Sequence, residues 1–316
     1  MGEKTAIEWT HHTFNPWWGC TKVSPACEHC YAESHARRFG VGWGDQAIRK
    51  PASEATWAEP LRWARAAEKA GERRRVFCAS MADVFDLPRM QLHELRERLW
   101  TVIAATPWLD WLLLTKRPQH ILGLVPIAWR DGFPPNVWVG TTVEDQRRAE
   151  ARIPSLLRVP ARVRFLSCEP LLGPLVLDPW LRRRVVRAHE ILTDRMVEDG
   201  WSHPDGDGDH GGLQWVIAGG ESGHGARPTH PDWFRAVRDQ CEGAGVPFLL
   251  KQWGAWAPRE DGDRALYPNG EHLPNLEPHL GSNGQPSIRV RNVGKAAAGR
   301  VLDGVVHDDY PTPRSA

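Results

Sequence analysis

Short apolar runs alternate along the chain with stretches whose apolar residues recur at helical spacing, and each run is followed by a few polar residues. The runs are Arg75–Ala79, Trp108–Leu114, Asn136–Gly140, Val163–Leu166, Leu213–Ala218 and Pro247–Leu250, with Thr5–Trp9 as a first strand, which makes seven candidate strands. Rich in Val, Leu, Phe and Trp and bounded by polar residues, such runs read as buried strands. Helical patterns cover about 57–70, 89–105, 145–158 and 231–244. The last is opened by Thr229 and closed near Gly243 and Gly245, as capping preferences require.

Buried strands alternating with helices pair in parallel, which leaves an α/β barrel or a doubly wound open sheet. The residues just past each strand decide between them. These strand ends read Ser80–Asp83, Thr115–Arg117, Thr141–Glu144, Ser167–Pro170, Gly219–Ser222 and Lys251–Trp253, and every one carries groups capable of chemistry. An open sheet gathers only the ends beside its switch point, whereas a barrel collects them all at one mouth. The even spread favours a partial, TIM-barrel-like β/α barrel over residues 1–254.

Two regions break the rhythm. Residues 178–212 form an insertion, arginine-rich at first and then His203–Gly212 with alternating aspartates. That alternation resembles the start of a calcium loop, but His210 stands where the turn glycine belongs and Val216 where the bidentate glutamate belongs. An exposed loop is the better reading. From 255 to 316 the composition shifts to Gly, Pro, Asn and charge, with Asn269-Gly270 and Asn283-Gly284 as hairpin signals, which reads as an extension packed on the barrel.

With 316 residues and 41% hydrophobic composition the chain can bury a full core. No run of about 18 apolar residues occurs and no export signal is evident, so the expectation is a cytoplasmic protein with no membrane partner. The net charge of +1 does not mark a nucleic-acid binder. Only seven of the 40 basic residues are lysine, and there are 17 tryptophans, a pairing of guanidinium groups and aromatic faces suited to stacking on bases.

Cysteine usage adds the sharpest chemical signal. Cys20, Cys27 and Cys30 sit within eleven residues, separated by six and then two positions, while Cys78, Cys168 and Cys241 are scattered. In a reducing compartment a cluster of thiols reads as metal-binding, and soft sulfur selects zinc or iron–sulfur clusters. Lone cysteines such as Cys78 and Cys168, which close two strands, are either spare thiols at the mouth or small buried hydrophobes. Structural zinc takes four protein ligands, so one of His11, His12, His29 or His35 must complete such a site; a four-iron cluster can instead leave one iron open.

The residues Thr5–Thr10, Asn15-Pro16, Gly19-Cys20 through Cys30–Glu33, Leu114–Arg117, Ser167–Pro170, Gly219–Gly223 with Ala226–Pro228, and Lys251–Gly254 together resemble the three-cysteine-motif phage proteins of unknown function. That family is similar at one remove to radical S-adenosylmethionine enzymes, although the gap between the first two cysteines is longer here than those enzymes usually carry. The resemblance implies Cys20, Cys27 and Cys30 as ligands of a four-iron, four-sulfur cluster, S-adenosylmethionine on its open iron, and an external electron donor. Around the cofactor it implies Tyr31, Ser80, Asp83, Thr141, Glu144, Ser167, Gly219 and Gly220. Lys116, Arg117, Glu169, Glu221 and Lys251 are the candidate catalytic groups at the mouth. The expected function is radical modification of a nucleotide or nucleic acid. Two other readings stay open: a zinc-stabilised barrel that binds nucleic acid, and a hydrolase that uses its Glu and Lys pairs as general acids and bases.

Overall fold

In the computed structural model, which describes residues 5, 7–86, 90–181, 212–270, 272–273 and 287–311, the apolar runs form one seven-stranded parallel sheet in chain order. The strands are β1 (His12–Phe14), β2 (Arg74–Cys78), β3 (Leu109–Thr115), β4 (Val137–Thr142), β5 (Val163–Cys168), β6 (Trp215–Gly219) and β7 (Phe248–Gln252). The sheet curls into a half-barrel whose edges, β1 and β7, do not pair. The fold is thus mixed α/β with a partial barrel. Its main helices are α1 (Tyr31–Arg38), α2 (Glu54–Ala70), α3 (Met90–Ala104), α4 (Gln146–Leu157) and α5 (Pro231–Ala244).

Local chemistry starts and stops these helices. The Ser53 hydroxyl accepts from Thr56 N at the head of α2, and the Asp145 carboxylate accepts from Arg148 N at the head of α4. Helix α5 opens on His230, whose ring accepts from Asp232 N ahead of Pro231, and ends at Gly245 with φ +66°. The sequence pointed to Thr229 as its opener. That hydroxyl instead donates to the Leu171 carbonyl at 2.9 Å, tying the helix head to the end of β5.

Strand alternation sorts side chains into two cores. One set, including Val76, Leu113, Val139, Leu166, Val216 and Leu250, packs beneath the helices with Trp57, Trp100, Ile153 and Phe234. Cys78 and Cys168 belong to this set, each wholly buried among apolar neighbours, and burial pushes both thiols up; they are small core hydrophobes and not mouth thiols. The other set faces the barrel interior: Phe77, Leu112, Trp138, Val163, Phe165, Trp215, Ile217 and Leu249. Gly140 also lies inward. A Cβ there would stand 2.5 Å from the Phe165 ring, so the aromatic floor requires a glycine at that position.

The expected strand Thr5–Trp9 does not form; β1 lies at His12–Phe14 instead. The reason is Trp9, only 2% exposed, which enters the barrel floor with its ring 4.6 Å from Phe77 and 6.3 Å from Trp215. A turn between Ile7 and Thr10 makes that entry, and the chain joins the sheet only afterwards. His11 fixes the join, since its Nδ1 accepts from Arg75 N at 2.9 Å.

Beyond β7, Trp256–Pro258, Ile288–Asn292, Arg264–Leu266 and His272-Leu273 form a four-stranded antiparallel sheet. The Asn269-Gly270 hairpin signal is met: Gly270 N donates to the Tyr267 carbonyl in the turn between Arg264–Leu266 and His272-Leu273. This sheet rests on the barrel through Trp256, whose indole donates to the Ala226 carbonyl. The final stretch bridges the open side. Leu249 pairs with Asp308, Trp215 Nε1 donates to the Asp309 carbonyl, and the Tyr310 hydroxyl donates to the Glu8 carbonyl. The arginine-rich part of the 178–212 insertion, His203–Gly211 and the Asn283-Gly284 signal lie outside the described residues. Among the described residues no helix is long and apolar enough to cross a membrane.

Two outcomes are expected from this packing. Trp9→Ala removes the floor and should cost about 3–5 kcal/mol in urea unfolding. Trp9→Phe should cost far less, because the indole N–H has no hydrogen-bond partner among the described residues. His11 is held down to about 4 by burial first and then by Arg75, Arg74 and His12. Between its ordinary value near 6.5 and 4 the unfolded chain takes up a proton that the folded chain refuses, so stability falls as pH drops through that window. The urea midpoint should therefore fall less between pH 7 and pH 5 in His11→Gln than in the parent; equal falls would contradict this.

Candidate functional site

Reading the inward positions upward along each strand, the floor gives way to polar groups two residues at a time. Phe165 is followed by Ser167 and Glu169, Leu112 by Leu114 and Lys116, Leu249 by Lys251, and Gly140 by Thr142. Together with the cysteine loop these positions enclose a cavity of about 670 Å³ at the C-terminal ends of the strands. Its lining includes Cys20, Cys27, Cys30, Tyr31, Ser80, Asp83, Lys116, Arg117, Ser167, Glu169, Gly220, Glu221 and Lys251. Thirteen of the sixteen residues singled out from sequence thus meet in one place.

Thr141, Glu144 and Gly219 do not line it. Strand period explains the first, since Thr141 points away from the interior and donates to the Thr115 carbonyl at 2.9 Å, leaving neighbouring Thr142 to face the cavity. Glu144 is fully buried behind the cysteine loop, where it pairs with Arg152 at 2.7 Å and accepts from Ala26 N at 3.5 Å. Gly219 backs onto Glu169; a Cβ there would come within 3.2 Å of that side chain. Gly220 does line the cavity, but its glycine is required by its own chain, because a Cβ would fall 1.9 Å from the Trp253 carbonyl oxygen.

The cysteine loop is anchored by arginines. On one side Arg117 donates to the Thr21 carbonyl at 2.9 Å and approaches Cys20 Sγ at 3.9 Å, while bonding Asp83 at 2.8 Å and Asp86 at 3.2 Å. Arg49 donates to the Thr21 hydroxyl at 2.8 Å and to Asp86 at 2.7 Å. All four charged side chains of this group are 7% exposed or less. Burial alone would lower the Arg117 value, but Asp83, Cys20 and Asp86 hold it above its ordinary value. On the other side Arg227 donates to the Pro25 carbonyl, to Glu28 and, through two nitrogens, to Glu221. Arg49 and Asp86 were invisible in the sequence, where nothing local signals partners 37 positions apart, and Arg227 stood only within the Ala226–Pro228 motif, with no role assigned to it.

The thiols differ in setting. Cys30 is the N-cap of α1, and its side chain makes no capping hydrogen bond. Burial, with Asp83 nearby, pushes the Cys20 thiol up to about 12 against the opposing pull of Arg117. Among the described residues no three His, Cys, Asp or Glu side chains converge tightly enough for a single metal ion. The three thiols share one cavity wall without forming a compact ion site.

The remaining polar groups are largely spoken for. Asp83 accepts from the Thr115 hydroxyl, Phe85 N, Lys116 N and Arg117, and so serves the loop anchor. Glu169 accepts from Lys251 Nζ at 2.7 and 3.0 Å and from Gln252 Nε2 at 2.7 Å. The Asn15 side chain accepts from Met81 N and donates to the Ser80 hydroxyl, and Tyr31 donates to the Ser80 carbonyl. Lys116 carries an ammonium with no partner among the described residues.

The family model described as protein of unknown function (DUF5131) matches residues 4–311, and the chain belongs to that family. No curated protein matches the chain.

The anchors predict a graded response to substitution. Arg117→Met leaves the buried Asp83 without its cation and takes one of two cations from Asp86, and should cost about 3–5 kcal/mol in urea unfolding. Arg227, a quarter exposed, matters less to global stability. Arg227→Met should leave the core protected while amide exchange speeds up across residues 21–30. Unchanged exchange in that loop would show that the anchor does not hold it.

Proposed function

We propose that this chain is an iron–sulfur, S-adenosylmethionine-dependent radical enzyme acting on a nucleotide or nucleic acid, with Cys20, Cys27 and Cys30 as the ligands of a four-iron, four-sulfur cluster. The observation that carries this reading is the sharing of one cavity by three thiols and the polar ends of parallel strands, over an aromatic floor. When bound, such a cluster supplies the electron that cleaves S-adenosylmethionine to a 5′-deoxyadenosyl radical able to abstract hydrogen from substrate. Three thiols suffice for a four-iron cluster with one open iron, whereas a structural zinc needs a fourth protein donor.

The chain's own residues then have distinct tasks. Cys30 presents its sulfur at the start of α1, as the N-cap residue of that helix. Ser80, Thr142, Ser167 and the Glu169–Lys251–Gln252 group offer hydrogen bonds to a polar ligand within the cavity. Lys116 offers a positive charge for a carboxylate or phosphate. Trp9 and Phe77 close the floor against water, protecting reactive species formed above.

The hydrolase reading is weakened by the state of the carboxylates. Asp83, Glu169 and Glu221 all line the cavity, and each is held by a cation: Arg117, Lys251 and Arg227 respectively. A general base needs a lone pair turned towards substrate, and here those positions accept hydrogen bonds within the protein.

Protein purified without oxygen should be brown and carry about four irons per chain. Cys27→Ala should lose the iron while its thermal melt remains cooperative, and reduced protein should release 5′-deoxyadenosine from S-adenosylmethionine. Colourless protein holding one tight zinc, with Cys27→Ala unfolded, would overturn the proposal in favour of a zinc-stabilised binding module.

A further inference from the structure

Helix α1 leaves the cavity rim carrying an aromatic stripe of which the cofactor reading uses only Tyr31. Tyr31, His35 and Phe39 recur every four residues and so lie along one face, at steps of about 6 Å. Tyr31 is 54% and Phe39 59% exposed, and His35 is exposed between them. Trp18 joins the stripe from the side, with ring centroids 5.6 Å from His35 and 5.7 Å from Phe39, while His35 and Phe39 are 5.0 Å apart. Trp18, Tyr31, His35 and Trp43 also line the cavity, so the stripe and the cavity form one continuous surface.

Positive charge accompanies the rings. Arg38 is exposed beside Phe39, and Lys50 lies directly across from Trp18 in an antiparallel pair, which brings both side chains to the same side. Neither cation has a partner among the described residues. By contrast Arg37 and Lys22 are committed to Glu33, which is mostly buried. The stripe is therefore flanked by two cations without partners among the described residues, and Glu33, the carboxylate of the same helix, is already neutralised.

We propose that this stripe is a docking track for single-stranded nucleic acid, which delivers one nucleotide into the cavity. This rests on the nucleic-acid reading of the cavity and narrows it from a free nucleotide to a polymer. Every base has a π-face, so aromatic rings at regular steps with cations beside them bind single strands without regard to sequence. A protein partner is a poorer fit, because three side chains on and just past an eight-residue helix fall far short of the roughly 800 Å² per side that a stable protein interface needs.

Fluorescence anisotropy with a labelled twelve-residue oligothymidylate and the full chain tests this directly. Phe39→Ala should weaken binding roughly tenfold, with an unchanged thermal melt because the ring is exposed. Arg38→Gln and Lys50→Gln should each reduce the slope of log affinity against log salt by about 0.7. The same oligomer in duplex form should bind more weakly than the single strand. Iron content and uncoupled 5′-deoxyadenosine release should be the same in Phe39→Ala as in the parent, which separates docking from the cofactor proposal. If iron-loaded protein shows no saturable single-strand binding at low salt, or binds with an affinity that Phe39→Ala leaves untouched, the track is refuted while the cofactor reading stands. Iron-free protein that still binds through Phe39 would keep the track and remove the radical chemistry. Self-association abolished by Phe39→Ala, in the absence of oligonucleotide binding, would assign the stripe to protein contact and overturn the proposal.

Discussion

The site depends on two arginines, one buried and one half-buried, that join strand-end carboxylates to the backbone of the cysteine loop. A loop of this kind has few hydrogen bonds of its own, and its carbonyls must find donors once it is pressed against the barrel. Arg117 and Arg227 supply them at Thr21 and Pro25, and each guanidinium is aimed by carboxylates rooted at the ends of the barrel strands: Asp83 and Asp86 for one, Glu221 for the other. Planar donors with several N–H groups can satisfy a carboxylate and a carbonyl at once, which a lysine ammonium does less well. The position of the thiols is therefore inherited from the sheet. A change in the half-buried Arg227–Glu221 pair alters the loop before it alters the fold, whereas a change at the buried Arg117 reaches both.

The barrel interior supports the same division of labour. Its floor is aromatic and needs Trp9 from outside the sheet, because seven strands leave an open side that side chains alone do not fill. The last described residues of the chain complete the closure: Tyr310 packs tilted against Trp215 with ring centroids 5.4 Å apart, bonds the Glu8 carbonyl and lies under the Arg75 guanidinium. The segments around Glu8-Trp9 and Asp308–Tyr310 thus meet at the floor of the half-barrel. This arrangement leaves the upper ends of the strands free to carry polar groups.

Much of the architecture was legible because burial leaves a local imprint. The six apolar runs from Arg75 to Leu250 all became strands, and parallel order followed from the helices between them. Strand alternation was present in the sequence as well, and applying it strictly would have chosen Thr142 over Thr141. Thr5–Trp9 misled because an apolar segment that plugs a floor looks like one that joins a sheet. What sequence could not supply was pairing across distance. Arg117 and Glu221 looked like free mouth groups until their partners came into view, and Arg49, buried 37 positions from Asp86, gave no local hint.

Pairing also redistributes chemical capacity around the cavity. A mouth described only by residue type holds acids and bases in abundance, and would suit many reactions. Once each lining carboxylate is assigned its cation, what remains uncommitted in charge is Lys116, and what remains available as soft donors is the thiol wall. Ion pairs this well formed are expensive to break, since separating them leaves an uncompensated charge in a half-dry space. The protein's polar groups are thereby suited to holding and orienting a ligand, while sulfur is the part of the lining able to bind a reactive cofactor. Salt bridges set the geometry of this half-barrel, and under the proposed function the thiols are left to carry its chemistry.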